Sequence, residues 1–269
     1  MSKLGTVDPR TPHTVCPFRQ SKPCMRAPSP PNPGYETKLE KIAVAGVDDL
    51  IIRSLLDRLQ FSDPDGDADR LGISSAAWPL FGVLWPSGAY LAARMATRRV
   101  RTDEHILEIG CGLALASLVG HRRGADVTAS DCHPLAESFL EENLRANALL
   151  PMKYRHGHWG APAMSRRREG APTCSVVQGR YDLIVGSDLL YERDDNAGLA
   201  GFIAEHSSPA AEVWISDPDR GNRPAFNRHM AANGFSMREE HLKEAATVIA
   251  PAYKGRVLIY ERGATISRI

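Results

Sequence analysis

The chain has 269 residues, 43% hydrophobic and 24% charged, with 33 basic against 32 acidic side chains for a formal charge of +1. That length suits a single α/β domain with an extension and a sizeable core, and the near-neutral balance excludes a global field drawing nucleic acid or a membrane surface. No stretch approaches the roughly 18 apolar residues of a membrane span, no signal-peptide h-region opens the chain, and the five cysteines form no C-x-x-C pair, so reduced thiols in a cytoplasmic protein are expected.

Residues 1–34 carry eight prolines among scattered basic residues, a composition that buries no core; a disordered extension is expected there, with Met25 as an alternative start. Residues 35–77 form an accessory segment in which Ile42-Ala-Val44 and Leu50-Ile-Ile52 are expected to pair as a hairpin. The run Asp63-Pro-Asp-Gly-Asp-Ala-Asp69 resembles a calcium loop only at first sight. Gly66 holds the fourth place where the sixth is needed, and Ser74 stands where a bidentate Glu belongs, so an acidic surface loop is expected.

The main domain, 78–269, begins with Phe81 to Met95. Ser87 is expected to cap a helix starting just after Trp85-Pro86, with Leu91 and Met95 on one face. A Trp beside a helix start is ordinarily core, but an indole face is also the best aromatic partner for a nearby cation.

His105-Ile-Leu-Glu-Ile-Gly-Cys-Gly-Leu-Ala-Leu-Ala116 then runs from a buried strand through two glycines into a helical pattern. Gly110 and Gly112 allow a tight turn and a close ligand approach. A dinucleotide fingerprint fails because Leu115 takes its third small position, and the Lys-Ser/Thr of a P-loop is missing. What remains is an acid two residues before a G-x-G-x-small turn: Glu108, Gly110, Gly112, Ala114.

Gly124 ends the first helix, and Ala125 to Asp131 forms the second strand. Asp131 lies about 20 residues past the turn, where a carboxylate can accept from two vicinal ribose hydroxyls, although capping the next helix would suit it equally. That helix is expected from Pro134 through Leu150. A weaker strand, Met152 to Trp159, holds His156 and His158, two histidines without a third ligand; no metal site is expected. Residues 161–179 read as a loop, and the fourth strand, Tyr181 to Asp188, leads directly into Leu189-Leu-Tyr191. A fifth strand, Glu212–Ser216, a helix near 222–233, and a hairpin of runs near 244–250 and 255–262 complete the pattern.

Alternating strands and helices imply a parallel sheet with ligands beyond the strands' carboxyl ends. The glycine turn, Asp131, Trp159 and Ser187 to Tyr191 all stand at such ends, so one shared crevice is expected.

Taken together, Leu84-Trp85-Pro86, Leu107-Glu-Ile-Gly-Cys-Gly112, Asp131, Trp159-Gly160 and Asp188-Leu-Leu-Tyr191 resemble methyltransferase family 16, over roughly residues 78–262. The resemblance implies a Rossmann-like class I fold: a mostly parallel seven-stranded sheet, helices on both faces and a C-terminal antiparallel hairpin. It implies S-adenosyl-L-methionine as cofactor, held by Trp85, Glu108, Gly110, Gly112, Asp131, Trp159 and Ser187, with Asp188 and Tyr191 as catalytic residues. Ser216-Asp-Pro-Asp-Arg220 is most similar to the branch methylating lysines of the electron-transfer flavoprotein β subunit, though Asp219 stands where a glycine is expected. A protein-lysine N-methyltransferase acting as a monomer, without nucleic acid or membrane partners, is therefore expected. A nicotinamide-like small-molecule amine as acceptor, or a non-catalytic cofactor-binding module, are the alternatives.

Overall fold

The computed structural model describes residues 33–159, 176–191, 197–244 and 253–263. Most of the expected extension, residues 1–34, and most of the expected 161–179 loop fall outside them. An accessory hairpin is present, but its first strand lies earlier than expected: β1 (Thr37–Ile42) pairs antiparallel with β2 (Leu50–Leu55), Thr37 facing Leu55, and of the expected 42–44 run only Ile42 is paired. The acidic run that follows contains one helical turn, α1 (Asp67–Arg70), whose Ala68 and Asp69 N–H groups donate to the Asp63 carboxylate. Trp78–Gly82 forms a short 3-10 turn before α2 (Pro86–Thr97).

From there strand and helix alternate: β3 (His105–Ile109), α3 (Leu115–Arg122), β4 (Asp126–Asp131), α4 (Ala136–Ala146), β5 (Lys153–His156), β6 (Tyr181–Ser187), α5 (Gly198–His206), β7 (Ser207–Asp217), α6 (Arg223–Ala232), β8 (Ser236–Glu244) and β9 (Tyr253–Glu261). The seven strands from β3 onward form one sheet in the order β5-β4-β3-β6-β7-β9-β8. β5, β4, β3, β6 and β7 run parallel, while β9 pairs antiparallel with both β7 and β8.

Side-chain alternation along the central strands builds a core on each face. Ile106, Leu183, Val185, Trp214 and Ile259 join one cluster with the buried faces of α2, α3 and α4. Their neighbours Leu107, Ile184, Val213, Ile215 and Leu258 join the other, beneath α5 and α6. Each large side chain so buried stabilises by about 1.5–3 kcal/mol. The accessory hairpin docks on the first layer through an amide ladder. Asn143 of α4 and Asn147, which caps its C-terminal end, accept the N–H groups of Arg53 and Ile51 and donate to the same residues' carbonyls, pairing an edge that would otherwise stay open.

Several local expectations are corrected. Ser87 does not cap α2: Pro86 already lies inside the helix, Trp85 is the capping residue and no side chain bonds the end. Instead the buried Ser87 hydroxyl meets Tyr253 Oη at 2.8 Å. α4 starts two residues beyond Pro134 and stops at Ala146, before the positive φ of Ala148. β5 is shorter than expected and ends at His156. α5 was not anticipated, and β7 starts at Ser207, five residues earlier than the apolar run implies. The C-terminal hairpin exists: Ser236–Glu244 pairs antiparallel with β9, residues 245–250 of the expected first run lie outside the described residues, and Tyr253-Lys-Gly255 belongs to β9 and is not the turn.

Candidate active site

Strand β3 ends at the glycine turn, where Gly110, Gly112 and Ala114 all have left-handed backbones, φ 55°, 51° and 59°. A Cβ on Gly112 would stand 2.8 Å from the Phe81 carbonyl oxygen, and one on Gly110 would collide with Leu189 Cδ2 and stand 3.2 Å from the Trp159 ring. The turn is therefore closed to side chains, which keeps backbone on the cavity wall. Glu108, buried at the strand's end, accepts the Ser117 N–H of α3 at 2.7 Å. Burial, only partly offset by that bond, pushes its carboxyl up to about 7.

At the end of the neighbouring β4, Asp131 has both oxygens engaged from the backbone: Oδ2 accepts Gly112 N–H and Oδ1 accepts His133 N–H, each at 2.8 Å. Burial raises its pKa against these hydrogen bonds. An ionised carboxylate has about four acceptor positions, more than the Gly112 and His133 N–H groups fill, so it keeps capacity for a hydroxyl donor. Burial drives His133 down to about 3, so it is neutral; it stacks on Phe81 at 3.6 Å, and its Nδ1 accepts Leu135 N–H.

The β6 end supplies the opposite wall. Asp188 sits in the left-handed region at φ 58° and donates its N–H to the Ser216 carbonyl. Its Oδ1 lies 3.0 Å from Arg220 Nη2, while Oδ2 is buried with Ser87 beside it. Burial raises the Asp188 pKa, opposed by Ser87 and Arg220. Tyr191 stands 49% exposed at the rim. Trp85 donates its indole N–H to the Leu80 carbonyl, and the Arg220 guanidinium lies 5.9 Å from its ring centroid.

The expected residues meet in one place. Trp85, Glu108, Gly110, Gly112, Asp131, Trp159, Ser187, Asp188 and Tyr191 all line a single cavity of about 880 Å³ at the carboxyl ends of the parallel strands. That volume lies toward the upper end for small-molecule sites. Sequence reasoning missed Arg220 as a cavity residue and the Ser87–Tyr253 pair behind Asp188. The Asp-Pro-Asp-Arg segment after a strand was the available signal for Arg220; nothing local marks the pair, which spans 166 residues. Among the described residues no group of three or more His, Cys, Asp or Glu could hold a metal ion, and no helix is long and apolar enough to cross a membrane.

The cavity suits a sulfonium nucleoside: a bare-backbone turn at a helix start, a carboxylate with acceptor positions to spare, and two indoles. Sheet order, antiparallel C-terminal hairpin and cavity together define a Rossmann-like class I S-adenosylmethionine-dependent methyltransferase. The chain belongs to the lysine methyltransferase family, whose pattern matches residues 81–220. It is 28% identical over 176 residues to protein N-lysine methyltransferase METTL21A of Danio rerio, covering 65% of this chain and 74% of that protein. It is 25% identical over 154 residues to the electron transfer flavoprotein beta subunit lysine methyltransferase of Mus musculus, covering 56% of this chain and 54% of the relative. The chain thus spans about three quarters of the first relative and about half of the second. A solved structure described under the conversion of a disulfide bond into a thioacetal group during echinomycin biosynthesis shares the fold, with TM-score 0.51, 18% identity and coverage of 74% of this chain and 92% of that one.

Proposed function

We propose that this protein methylates lysine side chains of a protein substrate, the electron-transfer flavoprotein β subunit being the first candidate by similarity to its methyltransferase. The observation that carries the reading is the placement of Asp188 and Tyr191 on the same cavity as the glycine turn and Asp131. When bound, S-adenosylmethionine supplies an electrophilic methyl on a sulfonium centre. In this reading the turn and the α3 N-terminus hold its carboxylate, Asp131 accepts from its ribose hydroxyls, and Trp159 covers its adenine. Glu108 braces the turn through Ser117, and Ser187 and Trp85 close the wall toward the acceptor.

Asp188 and Tyr191 form the acceptor side. Asp188 Oδ1, the oxygen shared with Arg220, orients the acceptor nitrogen, while Tyr191 and the apolar wall of Leu189 and Leu190 exclude water. Holding donor carbon and acceptor nitrogen in line at about 3–3.5 Å supplies most of the rate. A lysine must also shed its proton, which at neutral pH costs roughly 4–5 kcal/mol from a free pKa near 10.4.

Isotopic labelling of a lysate lacking this protein, using wild type and Asp188→Ala, tests the proposal. One protein band labelled by wild type alone, with the methyl mapped to lysine by mass spectrometry, is the expected result. Label confined to small molecules, or located on a residue other than lysine, overturns it.

A further inference from the structure

The acceptor wall carries a cation, Arg220, that has no part of its own in the reading above. Arg220 is tied down on three sides: its backbone N–H donates to Asp217 Oδ2 at 2.9 Å, Nη2 to Asp188 Oδ1 at 3.0 Å, and Nη1 to the Asp188 carbonyl at 3.4 Å. Its guanidinium lies 5.9 Å from the Trp85 ring centroid and lines the cavity with its side chain 30% exposed. The bonds to β6 and β7 fix the position of that charge.

Among the described residues, the carboxylates packed around this point are paired. Asp188, at the end of β6, pairs with Arg220. Asp217, at the end of β7 and fully buried, has the Arg220 N–H and, at 3.7 Å, Arg223 Nε of α6. Tyr253 of β9 contributes a hydroxyl bonded to Ser87 of α2. Arg223 also pairs with Asp219 and Glu239, which Arg256 and Lys254 serve in turn, so among the described residues the carboxylates Asp188, Asp217, Asp219 and Glu239 are matched by the cations Arg220, Arg223, Arg256 and Lys254. Glu108, Asp131, His133 and His158 lie elsewhere around the cavity, on the β3, β4 and β5 side. An ammonium entering beside Arg220 would give up hydration to face a carboxylate, Asp188, that Arg220 already pairs, and would meet a fixed positive charge. A neutral amine gives up far less, and its N–H can still reach Asp188 Oδ1.

We propose that Arg220 is a specificity-determining residue that restricts the acceptor side of the cavity to amines in their free-base form. The ammonium passes its proton to solvent before seating, and the lone pair enters unprotonated. This deepens the lysine reading and rests on it for the natural acceptor, but its own test uses a probe independent of any protein substrate.

The experiment is calorimetric titration of the S-adenosylhomocysteine-loaded protein with 2-methoxyethylamine, a short primary amine less basic than lysine, from pH 7 to pH 9. Selection of the free base predicts that wild-type affinity rises about tenfold per pH unit while the amine is mostly protonated. Arg220→Met should bind the amine more tightly at pH 7 and flatten this dependence, and Arg220→Lys should restore it. The affinity of each variant for S-adenosylhomocysteine checks that the fold is kept. If Arg220→Met does not fold, the wild-type slope and Arg220→Gln still decide. A wild-type affinity independent of pH, or a variant slope equal to that of wild type, overturns the proposal. Failure of the lysine reading shows separately, as lysate labelling without methyl-lysine.

Discussion

Asp131 Oδ2 accepts the backbone N–H of Gly112 at 2.8 Å, so the carboxylate at the end of β4 is fastened to the glycine turn at the end of β3. Its other oxygen accepts the N–H of His133. The residue proposed to bind the ribose also fixes the turn proposed to bind the methionine end.

Asp131→Asn is for this reason not conservative. Both carboxylate oxygens face backbone donors, so the amide must turn its NH2 against one N–H group. A buried mismatch of that kind costs about 1–3 kcal/mol. Calorimetry should show S-adenosylmethionine affinity lower by about tenfold to a hundredfold, with a reduced melting temperature; unaltered values for both would remove Asp131 from this double role.

Gly112→Ala should abolish cofactor binding with less effect on secondary structure. The added Cβ meets the Phe81 carbonyl oxygen at 2.8 Å, and the φ of 51° adds strain of about 1–2 kcal/mol. Backbone is in the way, so rotamer changes cannot relieve the contact. Circular dichroism near that of wild type, with no detectable binding heat, is the expected pair of results.

Glu108 gives a pH dependence whose sign follows from burial. Its folded pKa of about 7 lies above the ordinary 4.5, so the unfolded chain releases this proton first as pH rises. Its contribution is fully present below about 4.5 and is lost as pH climbs through about 7. Between those limits the difference is at most about 3 kcal/mol. Denaturant melts of wild type and Glu108→Gln should therefore diverge from pH 4.5 to pH 7, wild type losing ground. Parallel stability curves would show that the carboxyl ionises alike in both states.

Asp188→Asn tests the acceptor wall with the backbone preserved, since Asn tolerates the left-handed conformation at φ 58°. Loss of the charge frees Arg220 from its pair and weakens the hold on the acceptor nitrogen. The KM for a lysine acceptor should rise about tenfold, with cofactor affinity within about twofold of wild type. Unchanged kinetics would take Asp188 out of the site.

The cavity was legible in the sequence because its parts are punctuation. Gly110, Gly112, Asp131 and Asp188 each end an apolar run, and the geometry of parallel sheets carries such ends to one edge. Arg220 was not legible as Asp188's partner, because the pair joins different strand ends 32 residues apart. Strand β8 escaped notice for a different reason. Ser236–Glu244 is a charged strand at the sheet's edge, where Arg238, Glu239 and Glu240 form ion pairs with Glu261, Arg256 and Arg94, so it lacks an apolar run to detect. Ser87 was misread because a serine near a helix start looks like a cap, whereas Pro86 had already begun the helix and turned that hydroxyl inward to Tyr253.

The most direct measurement of the central claim is a crystal structure of the protein with S-adenosylhomocysteine. The ribose hydroxyls are predicted within hydrogen-bonding distance of Asp131, the adenine against Trp159, and the sulfur directed toward Asp188 and Tyr191. A nucleoside bound away from Asp131, or a sulfur facing away from Asp188, would contradict the account.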